Sequence, residues 1–259
     1  MFLSDVVVIA CGGAAVNASE YSAEEQGIRL EKISKNRSTI PMGDADALRR
    51  GIEGNRIVIP FCILGGDLGI DLVKDVIRCA RDTGSKVVSV FGIPMEFEKD
   101  RRERALRSLP EMVSLSDCSL VIDMQKTFDL NLGYNKGQRD WVQFLRMSDH
   151  MMMFSLTSIC NYLETGPFFT VFEKNLYAFI SHSDVLPANA VSSAWDSVLF
   201  DENPPLDSSV IMVGSRISSS EVEEIRNRVV MDHGVMPDVI KRSDPDDSKV
   251  IIFRAIRPF

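Results

Sequence analysis

A chain of 259 residues with 45% hydrophobic and 25% charged side chains has the composition of an ordinary soluble globular protein, long enough for one large domain or two. Its net charge of −8 argues against a nucleic-acid partner, which asks for a basic surface. Five cysteines without a CxxC pair, and three scattered histidines, argue against a metal centre or a disulfide framework and fit a reducing, cytoplasmic setting. In chain order, the opening run "DVVVIAC" (5–11) is apolar and β-branched. It lacks the basic flank of a signal peptide and reads as a first strand. "IRLEKI" (28–33) alternates and reads as a strand nearer an edge. "RIVIPFC" (56–62), "KVVSVFG" (86–92) and "SLVIDM" (119–124) are nearly continuous apolar runs, the pattern of parallel strands buried on both faces.

Amphipathic segments lie between these runs. "DLVKDVIRCARDTG" places Leu72, Val73, Val76, Ile77 and Ala80 at helical spacing, with Gly84 where the helix would end. "KDRRER" (99–104) mixes bases with acids and reads as a solvated helix face. A long helix is predicted across 139–164, with Met151, Met152 and Met153 as core filling. After the turn-rich "DENPPLD" (201–207) come a strand at 209–215, a helix opened by Ser218 and Glu221 at capping-box spacing, and a last strand at 249–256. The expectation is an α/β fold: a mostly parallel sheet flanked by helices, a long central helix and a smaller α/β C-terminal domain. No segment has the apolar length of a membrane helix.

Two strand-to-helix junctions are rich in glycine: "VVVIACGGAAVNAS", with Gly12, Gly13 and Asn17, and "ILGGDLGID", with Gly65, Gly66 and Gly69. Glycine lets backbone N–H groups approach an anion, and a helix N-terminus adds a favourable dipole. Neither junction matches a P-loop or a full GxGxxG fingerprint, and each alone reads equally well as a tight turn. Two of them at the C-terminal ends of one sheet point to a ligand edge.

The ordered set of motifs resembles the FtsZ/tubulin superfamily of GTP-binding, filament-forming proteins, and FtsZ more than tubulin. "VVVIACGGAAVNA" is similar to the FtsZ opening strand and its "GGAGGNA" loop, and "GGDLGID" lies where the family has "GGGTGTG". Pro94, Phe97, Glu98 and Arg102 fall in place of "PFxFEGxxR", and "CSLVIDM" resembles the strand "LIVIPN". Asp149 stands at the family's "AD" in the central helix, and the C-terminal segment through "KVIIFRAIRPF" resembles the second FtsZ domain. The resemblance implies a nucleotide-binding domain over 1–138, a central helix and connecting loop over 139–180, and a C-terminal domain over 181–259. It implies that Gly12, Gly13, Ala14 and Asn17 line a first nucleotide loop, and that Gly65, Gly66 and Gly69 wrap the phosphates. Glu98 would then meet the ribose, Arg102 the phosphate or sugar, and Asp149 the guanine edge. The implied ligand is GTP or GDP, with Mg²⁺ as its accompanying ion. The implied partners are further copies of the chain or another FtsZ-family protein, without nucleic acid or membrane insertion.

The departures bear on activity. Asp67, Leu68, Ile70 and Asp71 replace glycines and threonines of the signature loop, adding acids where phosphates are expected. Asp67 or Asp71 also reads as a helix N-cap. The segment "PMGDADALRRGIEGN" (41–55), between "LEKISKNRSTI" and "RIVIPFC", is too short for the family's γ-phosphate loop. An ungapped alignment from Asp149 puts Thr170, Phe172 and Asn175 at the catalytic "NxDxxD" positions, with Glu173 the one acid nearby. Met124 replaces the asparagine of "LIVIPN", and the sequence stops at Phe259, directly after the last strand. The expectation is therefore no catalytic residue and no metal site, with guanine-nucleotide binding kept and hydrolysis weak or lost, in cell division or cytoskeletal assembly. Two alternatives stand: an active assembly-dependent GTPase using Glu173, and a nucleotide-free scaffold for a protein partner. A Rossmann-type dinucleotide enzyme is disfavoured by the missing fingerprint.

Overall fold

The computed structural model describes residues 5–20, 29–134, 141–164, 176–182, 198–200, 205–234, 236–241, 250–257 and 259. The chain divides into two compact units, Met1–Lys174 and Asn175–Phe259. The first is built on five strands: β1 (Val6–Cys11), β2 (Leu30–Ile33), β3 (Ile57–Ile63), β4 (Lys86–Ile93) and β5 (Cys118–Asp123). They lie in the order β2-β1-β3-β4-β5, every neighbouring pair parallel. The four long apolar runs are buried along their length apart from Lys86, whereas the alternating run that forms β2 sits at the sheet edge and is only half-buried. Burial on both faces is what a β-branched run without alternation requires. Pro60 occupies β3, a central strand, and removes one donor from the ladder there.

The helices of this unit are α1 (Gly13–Glu20), α2 (Ala45–Ile52), α3 (Asp67–Asp82), α4 (Lys99–Leu115), α5 (Met124–Tyr134) and α6 (Trp141–Glu164). α3 packs on β3 and touches α2 and α4; α6 packs with α1 and α5. α3 buries Leu72, Val73, Val76, Ile77 and Ala80, the stripe read from the sequence, and Gly84 (φ 78°) follows its C-cap Thr83. The long helix predicted across 139–164 is α6, and it buries Met152, Met153, Leu156 and Ile159.

The second unit orders its strands β6-β9-β7-β8, from β6 (Leu176–His182), β7 (Pro205–Val213), β8 (Asp238–Lys241) and β9 (Val250–Ile256). β9 runs antiparallel to β6 and β7, and β8 runs parallel to β7 through the crossover helix α7 (Ser219–His233). Ser218 and Glu221 form a complete capping box at the start of α7, and Gly234 closes it in the left-handed conformation. Ile211, Val213, Ile217, Ile225, Val229, Val250 and Ile252 form this unit's own core.

Candidate functional site

The strand order of the first unit reverses between β1 and β3: β1 connects outward to β2, and β3 connects the other way to β4. A crevice opens at such a switch point beyond the C-terminal strand ends, where open α/β sheets bind ligands. Both glycine junctions flank it. Gly12 turns the chain out of β1 at φ +86°, donating its N–H to Ile33 O (2.9 Å), and its carbonyl accepts from Val16 N–H (3.1 Å) to start α1. A Cβ on Gly12 would lie 3.3 Å from Gly69 Cα, and one on Gly69 would lie 3.0 Å from Cys62 Sγ. The loops after β1 and β3 therefore touch, backbone to backbone. Beneath them lie the buried thiols of Cys11 and Cys62. Burial pushes Cys62 up to about 12, and burial followed by the nearby Cys62 raises Cys11, so both are packing groups rather than nucleophiles.

The glycines divide into two kinds. Gly65 (φ +93°) is pressed against α4: a Cβ there would sit 2.2 Å from Arg101 O. Gly12, Gly65 and Gly69 are thus dictated by close packing. Gly13 and Gly66 face open space, with nothing within 4 Å of an added Cβ. Gly66 is the N-cap of α3 without a side-chain cap, so neither Asp67 nor Asp71 caps the helix as the sequence suggested. Asp67 instead occupies the first turn, and both carboxylates are exposed. Ala14 is half-buried in the first turn of α1, and Asn17 is exposed one turn later.

Beyond β4, Glu98 is the N-cap of α4 and is ion-paired with Arg101 rather than with Arg102. The sequence places Arg102 at a phosphate or sugar. Its guanidinium is instead forked onto Asp123, Nη1 to Oδ1 and Nη2 to Oδ2 at 2.7 Å each, and Nη1 also donates to Pro94 O at 2.8 Å. With side chains 16% and 4% exposed, this pair fastens the start of α4 to the end of β5. Asp123 was missed in the sequence, because it closes an apolar strand and its partner lies 21 residues away. Met124, where the resemblance expects asparagine, is buried at the start of α5.

On α6, Ser148 Oγ accepts from Thr127 Oγ1 (3.1 Å), and Met152 reaches the end of β4, its Cε 3.0 Å from an added Cβ on Gly92. Asp149 lies one turn before that contact. Burial pushes its carboxyl up from the ordinary 3.8 to about 6.

A cavity of about 360 Å³ adjoins Gly13. Its walls are α1, through Gly13, Val16 and Asn17, the turn Ser34–Arg37 after β2, and Leu68 of α3. That turn holds its own shape. Ser34 N–H donates to Ser38 Oγ (2.8 Å), Ser34 Oγ donates to Arg37 O (3.0 Å), and Arg37 N–H returns to Ser34 Oγ (3.1 Å).

No protein-family model matches the chain. A stretch of 94 residues is 33% identical to cell division protein FtsZ of Methanothermobacter thermautotrophicus, spanning 35% of this chain but only 25% of that relative. By fold, the chain matches an empty FtsZ dimer from M. jannaschii with a TM-score of 0.76 at 16% identity, over 97% of this chain and 88% of the other. The chain has the fold of the FtsZ/tubulin superfamily and, over that one stretch, resembles FtsZ in sequence. The same fold relates it to TubZ of Bacillus thuringiensis serovar israelensis, solved as GDP-form protofilaments, with a TM-score of 0.68 at 12% identity over 98% and 86% of the two chains. In this FtsZ-like chain Thr170, Phe172, Glu173 and Asn175, on which the reading of the catalytic loop turned, lie outside the described residues. Among the described residues no His, Cys, Asp and Glu cluster could hold a metal ion, and no helix is long and apolar enough to cross a membrane.

Proposed function

We propose that this FtsZ-like chain binds a guanine nucleotide, GTP or GDP, in the crevice between the loops after β1 and β3, with hydrolysis weak or lost. It would act by assembling with its own kind or with another FtsZ-family protein, in cell division or cytoskeletal organisation. One observation carries the reading: Gly12 and Gly69 bring the two loops into contact at the switch point, while Gly13 and Gly66 leave the space in front of both helix starts clear. A side chain at either position would fill that space, so the backbone there is shaped to admit an anion. In this reading the amides of Gly13, Ala14 and Gly66 take the phosphates and Asn17 borders them. Glu98 meets the ribose and ionised Asp149 accepts from the guanine N1–H and amine. Arg102 is a positioning residue, holding the Glu98 turn through Asp123. A Mg²⁺ ion accompanying the nucleotide would supply the positive charge that lets the exposed carboxylates of Asp67 and Asp71 share one mouth with the phosphates.

Those two carboxylates also favour a second reading, a nucleotide-free scaffold, because like charge at the start of α3 opposes an anion. Isothermal titration of the Mg²⁺-supplemented protein with GDP and GTP separates the two. Binding at sub-millimolar nucleotide, with phosphate release no faster than the buffer blank, is expected. Absence of binding in that range would leave the scaffold.

A further inference from the structure

We infer that Lys35 and Arg37, on the turn after β2, form an anion site that receives the terminal phosphate of the ligand and makes the chain prefer a triphosphate. The inference deepens the nucleotide reading and rests on it. The chain carries a net charge of −8, yet the cavity beside Gly13 is lined by two cations and no acid. Its volume of about 360 Å³ is within the range of small-ligand sites. The cations are presented, not loose: the hydroxyls of Ser34 and Ser38 tie the turn to itself, and Thr39 N–H and Ile40 N–H return to Lys32 O at 2.9 and 3.2 Å. Across the cavity stands Gly13, which opens α1, and the first amides of a helix have no acceptor within it. Two cations and a helix start thus border one space whose lining holds no carboxylate, with Glu20 paired to Arg37 beside it.

Charge placement decides which part of the ligand goes there. Asp67 and Asp71 are exposed at the start of α3, whose Leu68 forms one wall of the same cavity without either acid lining it. The terminal phosphate carries the most negative charge, and the cations that line this space are Lys35 and Arg37. Arg37 is ion-paired in this structure with Glu20, which also lies 4.0 Å from Lys32. Both members of that pair are solvent-accessible, so it is weak, and a phosphate can replace Glu20 while Lys32 keeps Glu20 compensated. Lys35 makes no ion pair among the described residues. The segment before β3 is too short for a separate phosphate-covering loop, and this turn takes over that task from the β2 side.

The test is a ladder of ligands, GMP, GDP, GTP and inorganic tripolyphosphate, titrated with Mg²⁺ into the full chain and into Lys35→Ala, Arg37→Ala and Lys35→Arg. Lys35→Ala should weaken GTP and tripolyphosphate by about tenfold or more, the size of a lost charge-assisted contact, and leave GMP unchanged. Lys35→Arg should restore most of the GTP affinity, which a merely structural lysine would not explain. GTP binding to Lys35→Ala within twofold of the parent, with the nucleotides otherwise bound, overturns the inference and spares the nucleotide reading. Lysine-dependent binding of tripolyphosphate without any guanine nucleotide keeps the anion site and sinks the nucleotide reading. Binding of none of the four overturns both.

Discussion

At the scale of single residues, Asp149 is the sharpest probe of the proposed nucleotide site. Its ionised form is the one that would accept from guanine, and burial disfavours that form, lifting the carboxyl to about 6. The folded state therefore holds a proton more tightly than the unfolded chain, whose aspartates titrate near 3.8. The resulting destabilisation is complete above about pH 6 and disappears as the pH falls toward 4. Asp149→Asn is expected to raise the melting temperature at pH 8 and to lose that advantage by pH 4, in a thermal-shift series on the ligand-free protein. The same variant should weaken guanine binding at pH 8, where the parent carboxylate is charged. A flat stability difference across the series would mean that Asp149 is solvated like any surface acid. Asp149 was reachable in the sequence through its motif, whereas Lys35 and Arg37 were not. Isolated basic residues in a Ser-Lys-Asn-Arg-Ser turn look like ordinary solvated loop, and only the fold sets them opposite Gly13.

At the scale of elements, the β3–α3 loop combines two demands that its residue types alone do not separate. Gly65 serves packing, since α4 leaves no room for a side chain, and Gly66 serves access, since nothing stands in front of it. Gly65→Ala forces both a left-handed alanine and a contact 2.2 Å from Arg101 O. It should destabilise the protein by about 2 kcal/mol or more, several degrees in melting temperature. Gly66→Ala sits at φ −110°, which alanine adopts freely, so it should leave the melting temperature within a few degrees and weaken nucleotide binding about tenfold. Equal effects of the two substitutions on binding and on stability would contradict this division. β1, β3, β4 and β5 were legible because nearly continuous β-branched runs have few other places to go, whereas β6 was not read. β8 escaped notice because four residues, half-buried and edge-lying, carry no clear period, and α5 because "MQKTFDLNLGY" mixes its apolar and polar residues without a stripe.

At the scale of the whole molecule, the chain keeps the full FtsZ-like architecture while sharing only 16% of its residues with the M. jannaschii structure. The motif order was legible because it follows from topology: in a 2-1-3-4-5 sheet the loops after β1 and β3 must meet. The packing reasons for individual glycines were not, since Gly12 against Gly69 and Gly65 against Arg101 are contacts between distant stretches of sequence. If the proposed function holds, sedimentation velocity with GTP should reveal species larger than the 28.9 kDa monomer, persisting for hours because the nucleotide is not consumed. A single monomeric boundary at every concentration, with and without GTP, would rule out assembly by the chain alone. All ten candidate residues that the resemblance named lie in the unit Met1–Lys174, and the unit Asn175–Phe259 is held by a separate core. The two halves can therefore accumulate change under different pressures: a lineage is able to redraw the surface of the C-terminal half without disturbing the packing of the glycine junctions in the other.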